Sequence, residues 1–154
     1  MTPRIVIATA NRRLRDGLTT LLEAGDAVVV GVADNGFEAV GKAIRIKPDV
    51  IITDVKLPRL NGFELARHLH QLNPGIGVVI LGESPSGVYA DRARQVGAHA
   101  YVLASDPCHE LTTAIDAVHR GQAYTSTCVR DARAVHVTIN KQPYAGQGYL
   151  PAAA

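Results

Sequence analysis

Two kinds of apolar pattern alternate along this chain. Short runs with little or no polar interruption occur at Arg4–Thr9 (RIVIAT), Ala27–Ala33 (AVVVGVA), Val50–Asp54, Val78–Leu81 and Ala100–Leu103. Val/Ile-rich runs bounded by turn formers read as strands buried on both faces of a parallel sheet. Between them the apolar residues recur at helical spacing. Leu14, Leu18, Leu21 and Leu22 do so in 12–24, closed by Gly25; Phe37, Val40 and Ile44 form a stripe that must end before Pro48. Phe63, Ala66 and Leu69 continue to the turn Asn73-Pro74-Gly75, a thin stripe spans 88–96, and Leu111, Ile115 and Val118 follow Ser105-Asp106-Pro107 and end at Arg120 and Gly121. The alternation predicts a flavodoxin-like doubly wound five-stranded parallel sheet, order 2-1-3-4-5, with five flanking helices.

In such a sheet the functional crevice lies outside the carboxyl ends of the strands, where strand order reverses, here between the first and third strands. Asp54 ends the third run, and Lys56, Pro58, Asn61 and Gly62 then break the pattern. This carboxylate is the leading site candidate. The plainer alternative is that it caps the loop that follows.

Composition narrows the class. The 154 residues suffice for one domain with a full core, expected over 1–121, with 122–154 as a C-terminal extension. The extension suggests a short helix around 127–134 and a β-like 135–139, and its Gly/Pro/Ala-rich end is expected to be partly flexible. No apolar run approaches the roughly 20 residues of a bilayer crossing, so a cytoplasmic protein with no membrane partner is expected. Cys108 and Cys128 lack a CxxC partner, and His68 and His70 sit two apart on a helix, so no metal site is expected. The net charge of +2 and the cluster Arg12, Arg13 and Arg15 fit a solvated helix face better than a nucleic-acid footprint.

The segments PDVIITDVKLPRLNGFELARHL and GAHAYVLASDPCHELTTAIDAVHRG, with this strand order, resemble the receiver domains of bacterial two-component response regulators. The resemblance runs from about Arg4 to Gly121 and is strongest to receivers that precede a NarL or LuxR-type DNA-binding domain. It implies that Asp54 stands at the phospho-acceptor position, that Pro58 and Gly62 shape the adjoining loop, and that Tyr101 occupies the aromatic position whose side chain moves inward on activation.

The remaining positions of the phosphate pocket depart from the family. Its acidic pair after the first strand, which holds magnesium, corresponds to Thr9 and Ala10. Its Ser or Thr after the fourth strand corresponds to Gly82, and its Lys after the fifth to Ala104. Phosphoryl transfer depends on positioning and charge stabilisation. The expectation is therefore weak or absent magnesium, no other cofactor, and an uncoupled Tyr101 of fixed orientation. Ser84 and Ser105 stand close enough to replace one loss, not all four. Lys56 and Glu83 flank the site as a substitute cation and carboxylate or, more simply, as solvated loop charges.

These departures favour an atypical receiver that is a non-enzymatic protein-binding module independent of magnesium-dependent phosphorylation. A phospho-accepting receiver with weak autophosphotransfer at Asp54 is one alternative. A small-molecule-sensing receiver with a ligand in the emptied pocket is another. The expected partner is a protein or a second copy docking on the fourth-helix, fifth-strand, fifth-helix face, with a histidine kinase as a further candidate. No helix-turn-helix pattern follows Gly121, so no DNA-binding domain and no direct nucleic-acid contact are expected.

Overall fold

A computed structural model describes residues 2–105 and 107–129, the side chains of 107–109 excepted. The elements run β1 (Arg4–Ala8), α1 (Arg12–Ala24), β2 (Val28–Ala33), α2 (Gly36–Ile46), β3 (Val50–Asp54), α3 (Gly62–Leu72), β4 (Gly77–Gly82), α4 (Gly87–Gln95), β5 (Ala100–Leu103), α5 (Pro107–His119) and β6 (Tyr124–Thr125). All strand pairs are parallel, in the order β2-β1-β3-β4-β5-β6. The predicted flavodoxin-like fold is therefore present, with one strand more than expected.

Side-chain alternation divides the core into two layers. Val6, Ile51, Val78, Ile80 and Tyr101 point to the side covered by α2, α3 and α4. Ile5, Ile7, Val50, Ile52, Val79, Leu81 and Val102 point to the side where Leu18 and Leu22 of α1 and Leu111 and Ile115 of α5 close the core. Burial on both faces explains why these strands read as unbroken apolar runs.

Local chemistry sets the helix ends around the site. Asn11 caps α1 by accepting the Leu14 N–H at 3.1 Å. Asn61 and Glu64 form a reciprocal capping box on α3, which fixes the loop after β3. Lys47 ends α2 at a left-handed φ of 52°, just before Pro48.

Two differences from the sequence reading have physical reasons. Only Val40 of the predicted α2 stripe packs against the core, where it is partly buried. Ala39 and Ala43 are buried, while Phe37 and Ile44 are more than half exposed. This helix sits too close to its neighbours for large residues: a Cβ on Gly36 would lie 2.3 Å from that of Leu60. The displaced Phe37 ring is covered by the Arg59 guanidinium, 4.9 Å from its centroid.

The other difference is β6. Past Gly121 the chain turns back along the sheet edge, pairing Ala100 with Tyr124 and Tyr101 with Thr125. Ser126 is fully buried; its N–H donates to the Tyr101 carbonyl at 2.9 Å and its Oγ accepts the Leu103 N–H at 3.0 Å. Tyr124 Oη and the Thr127 N–H both donate to Glu110 of α5, at 2.6 and 3.0 Å. Residues 127–129 begin a helical turn, and Val129 is buried in the α2–α4 core layer. The rest of the expected helix around 127–134, the β-like 135–139 and the loosely ordered end lie outside the described residues.

Candidate functional site

The reversal of strand order falls between β1 and β3, and the residues that follow these two strands meet there. Ala8 pairs with Thr53, which brings Thr9 level with Asp54. Thr9 is buried, and its Oγ1 donates to Asp54 Oδ2 at 3.2 Å while accepting the Asn11 N–H at 3.1 Å. The Asp54 carboxylate is partly exposed at the crevice. Gly62 holds the loop against it from behind, because a Cβ there would lie 2.5 Å from the Asp54 carbonyl oxygen. Ala10 is exposed and offers no polar side-chain group.

Lys56 does not reach Asp54. Its ammonium pairs with Glu83 at 3.1 Å, and both side chains are mostly exposed. Solvated loop charges, paired with one another, describe them better than substitutes for the missing pocket residues. An exposed pair of this kind contributes little to stability.

The other two substituted positions lie level with each other. Gly82 ends β4 opposite Leu103, and the Ala104 N–H donates to the Gly82 carbonyl at 2.8 Å. The space beside Gly82 is filled. A Cβ there would lie 2.0 Å from the Tyr101 hydroxyl oxygen and 2.3 Å from its Cζ. Tyr101 is 2% exposed, turned inward over Gly82, and its hydroxyl donates to the Ser84 carbonyl at 2.8 Å. The phenol is pushed up to about 12, chiefly by burial, with nearby Tyr89 and Glu83 adding to the shift. The hydroxyl is therefore protonated, as the donation to Ser84 requires.

An emptied pocket spanning Thr9, Ala10, Gly82 and Ala104 is thus not what forms. The cavity next to Asp54, of about 300 Å³, opens on the β3–β4 side and is lined by Asp54, Val55, Lys56, Glu83, Ser84, Tyr89 and Tyr101. Sequence reasoning missed Tyr89 and Val55. The signal for Tyr89 was a large apolar side chain standing off the thin α4 stripe, where it is 42% exposed.

The donor set does not fit a magnesium ion, which takes several hard oxygens in octahedral geometry. At this crevice the side chains supply the Asp54 carboxylate, the Thr9 hydroxyl already donating to it, and a Glu83 carboxylate already paired with Lys56. Among the described residues no three His, Cys, Asp or Glu are grouped to hold a metal, and no helix is long and apolar enough to cross a membrane.

Comparison with known proteins places this geometry in context. Residues 5–116 match the response regulator receiver domain family. The response regulator GacA of Pseudomonas viridiflava is 32% identical over 145 residues, spanning 92% of this chain and 68% of that protein. Among solved structures, a LuxR-family two-component response regulator from Aurantimonas sp. SI85-9A1 superposes with a TM-score of 0.84 at 27% identity, covering 90% of this chain and 99% of the other. A structure of two RcsB dimers bound to two parallel DNAs superposes with a TM-score of 0.79 at 17% identity, covering 97% and 79%.

The expected partners need correction on these findings. Exclusion of nucleic acid does not stand, because the relatives are LuxR-type regulators and the RcsB assembly of this fold is bound to DNA. The absence of a helix-turn-helix pattern in a receiver sequence says nothing about what that receiver controls. The proposed docking face also differs from expectation, since the outer edge of β5 is occupied by the chain's own β6. The fold, the match over residues 5–116 and the GacA relationship together establish that the chain belongs to the response regulator receiver domain family of two-component systems.

Proposed function

We propose that this receiver is atypical: its state is set without magnesium-dependent phosphorylation of Asp54. The observation that carries the reading is the inward Tyr101 ring over Gly82. A receiver that switches needs two positions for this side chain, and a hydroxyl-bearing residue to attract it in only one of them. Here the inward position is occupied by the ring, which is favoured there by van der Waals contact, the Ser84 hydrogen bond and its burial.

Asp54 supports the same reading. Its hydrogen-bond donor is Thr9, a neutral hydroxyl, where the resemblance implies a metal held by two carboxylates. Without a divalent cation or a lysine, charge developing on three phosphoryl oxygens has no compensation from side chains at positions 9, 10, 82 and 104. We further propose that the output of the whole protein is control of a DNA-directed regulator, as for the LuxR-family relatives, with the receiver held in one signalling state.

A magnesium titration followed by amide NMR tests the metal half of this proposal. The Asp54 and Val55 amides are expected to show no saturable shift at millimolar magnesium, whereas a Thr9→Asp/Ala10→Asp variant is expected to gain one. Saturable binding by the unmodified protein would contradict the proposal.

A further inference from the structure

We propose that the cavity beside Asp54 is a binding site for a small organic cation, a primary arylalkylammonium. The inference rests on the reading that Asp54 does not take a phosphoryl group, and it names what the carboxylate serves instead. The cavity, at about 300 Å³, lies at the lower end of the range for ligand sites and holds one aromatic ring with a short side chain.

Charge selects the ligand. The ionisable side chains lining the cavity are Asp54, Glu83 and Lys56, with the two tyrosines. The Lys56 ammonium is engaged by Glu83 at 3.1 Å, so those two cancel. Asp54 is left with the neutral Thr9 hydroxyl, on one of its two oxygens. The site therefore has a net charge of about −1 by Coulombic counting, and a carboxylate oxygen open to a charge-assisted hydrogen bond. Inorganic or organic anions are disfavoured by the same count.

The walls select the rest of the molecule. Tyr89 and Val55 present aromatic and aliphatic surface, while Tyr101 lines the cavity almost wholly buried, with its hydroxyl committed to Ser84. An ammonium group against Asp54 with a ring among the tyrosines would satisfy both, and aromatic walls favour cations over neutral groups of the same shape. Because Tyr101 lines this cavity, an occupant would also hold the inward ring in place.

Benzylamine, benzyl alcohol and benzoate, matched in size and differing in charge, provide the test. Titrations of the full chain are followed by amide shifts at Gly82, Ser84 and Tyr101. Benzylamine is expected to give saturable shifts there, benzyl alcohol to bind roughly tenfold more weakly, and Asp54→Asn to weaken benzylamine to the level of the alcohol. Lys56→Met, which leaves Glu83 uncompensated, is expected to tighten benzylamine binding. No saturable shift with the folded wild type, equal affinity for amine and alcohol, or undiminished binding by folded Asp54→Asn would overturn the proposal. A phosphoryl adduct on Asp54 in a separate mass measurement would remove the underlying reading, whereas failure of the amine alone would leave that reading intact.

Discussion

At the scale of single residues, one contact governs the account: the Tyr101 ring lies where a side chain at position 82 would be. Gly82→Thr therefore cannot be accommodated while Tyr101 stays inward. It is expected to destabilise the fold by roughly 1–3 kcal/mol, the usual range for overpacking a tight core. Tyr101→Ala has its own cost from the lost ring, but adding Gly82→Thr to it should cost almost nothing. A double-mutant cycle by urea denaturation measures that coupling. Additive effects would mean that the ring and residue 82 do not compete for the same space. That Thr9, Ala10, Gly82 and Ala104 stand at strand ends was legible in the sequence because each adjoins an apolar run. That the Tyr101 ring takes up the space at Gly82 was not legible, since the two are 19 residues apart and meet only across paired strands. The Lys56–Glu83 pair was hidden for the same reason.

At the scale of elements, ten of the eleven among the described residues were readable from periodicity and punctuation, and β6 was not. Tyr124–Thr125 is too short for a pattern, and its partners come from β5 rather than from neighbours in sequence. The α2 stripe misled because large apolar residues outweigh alanines in any hydrophobicity reading, whereas close packing selects the alanines. The edge segment has a testable anchor in Ser126, which is buried with its Oγ accepting the Leu103 N–H. Ser126→Ala leaves that amide without its acceptor and is expected to cost about 1–3 kcal/mol. Hydrogen exchange should then accelerate first at Leu103; unchanged protection there would contradict the anchoring role.

The N-terminal end of β5 adds a pH dependence. His99 Nδ1 accepts the Val78 N–H at 3.1 Å, which requires that nitrogen to be unprotonated. Burial, with a smaller contribution from neighbouring His70, holds the His99 imidazole below its ordinary value of 6.5. The unfolded chain therefore binds the proton more readily than the folded one. The stabilisation is present above the unfolded pKa near 6.5 and is lost as pH falls through the folded value. Denaturation midpoints should fall on acidification below that pH in the wild type, with a shallower decline in His99→Gln. Equal slopes would remove His99 as the cause.

At the scale of the whole molecule, the fold brings together two things that the linear sequence keeps apart. The β1–β3 reversal places Thr9 against Asp54, and the parallel β4–β5 pair places Tyr101 over Gly82. The first gives the Asp54 carboxylate a neutral hydroxyl as its donor, and the second fills the space beside Gly82 with the Tyr101 ring. The proposed reading is that a site of this composition holds one state, in a chain that belongs to the receivers of two-component systems. Intact-protein mass spectrometry after incubation with acetyl phosphate and magnesium, run beside Asp54→Asn, tests this most directly. The account predicts no phosphoryl adduct on the folded wild type, with spectra of the two proteins unchanged by the treatment. An adduct on the wild type that is absent from Asp54→Asn would contradict it and restore Asp54 as a working phospho-acceptor.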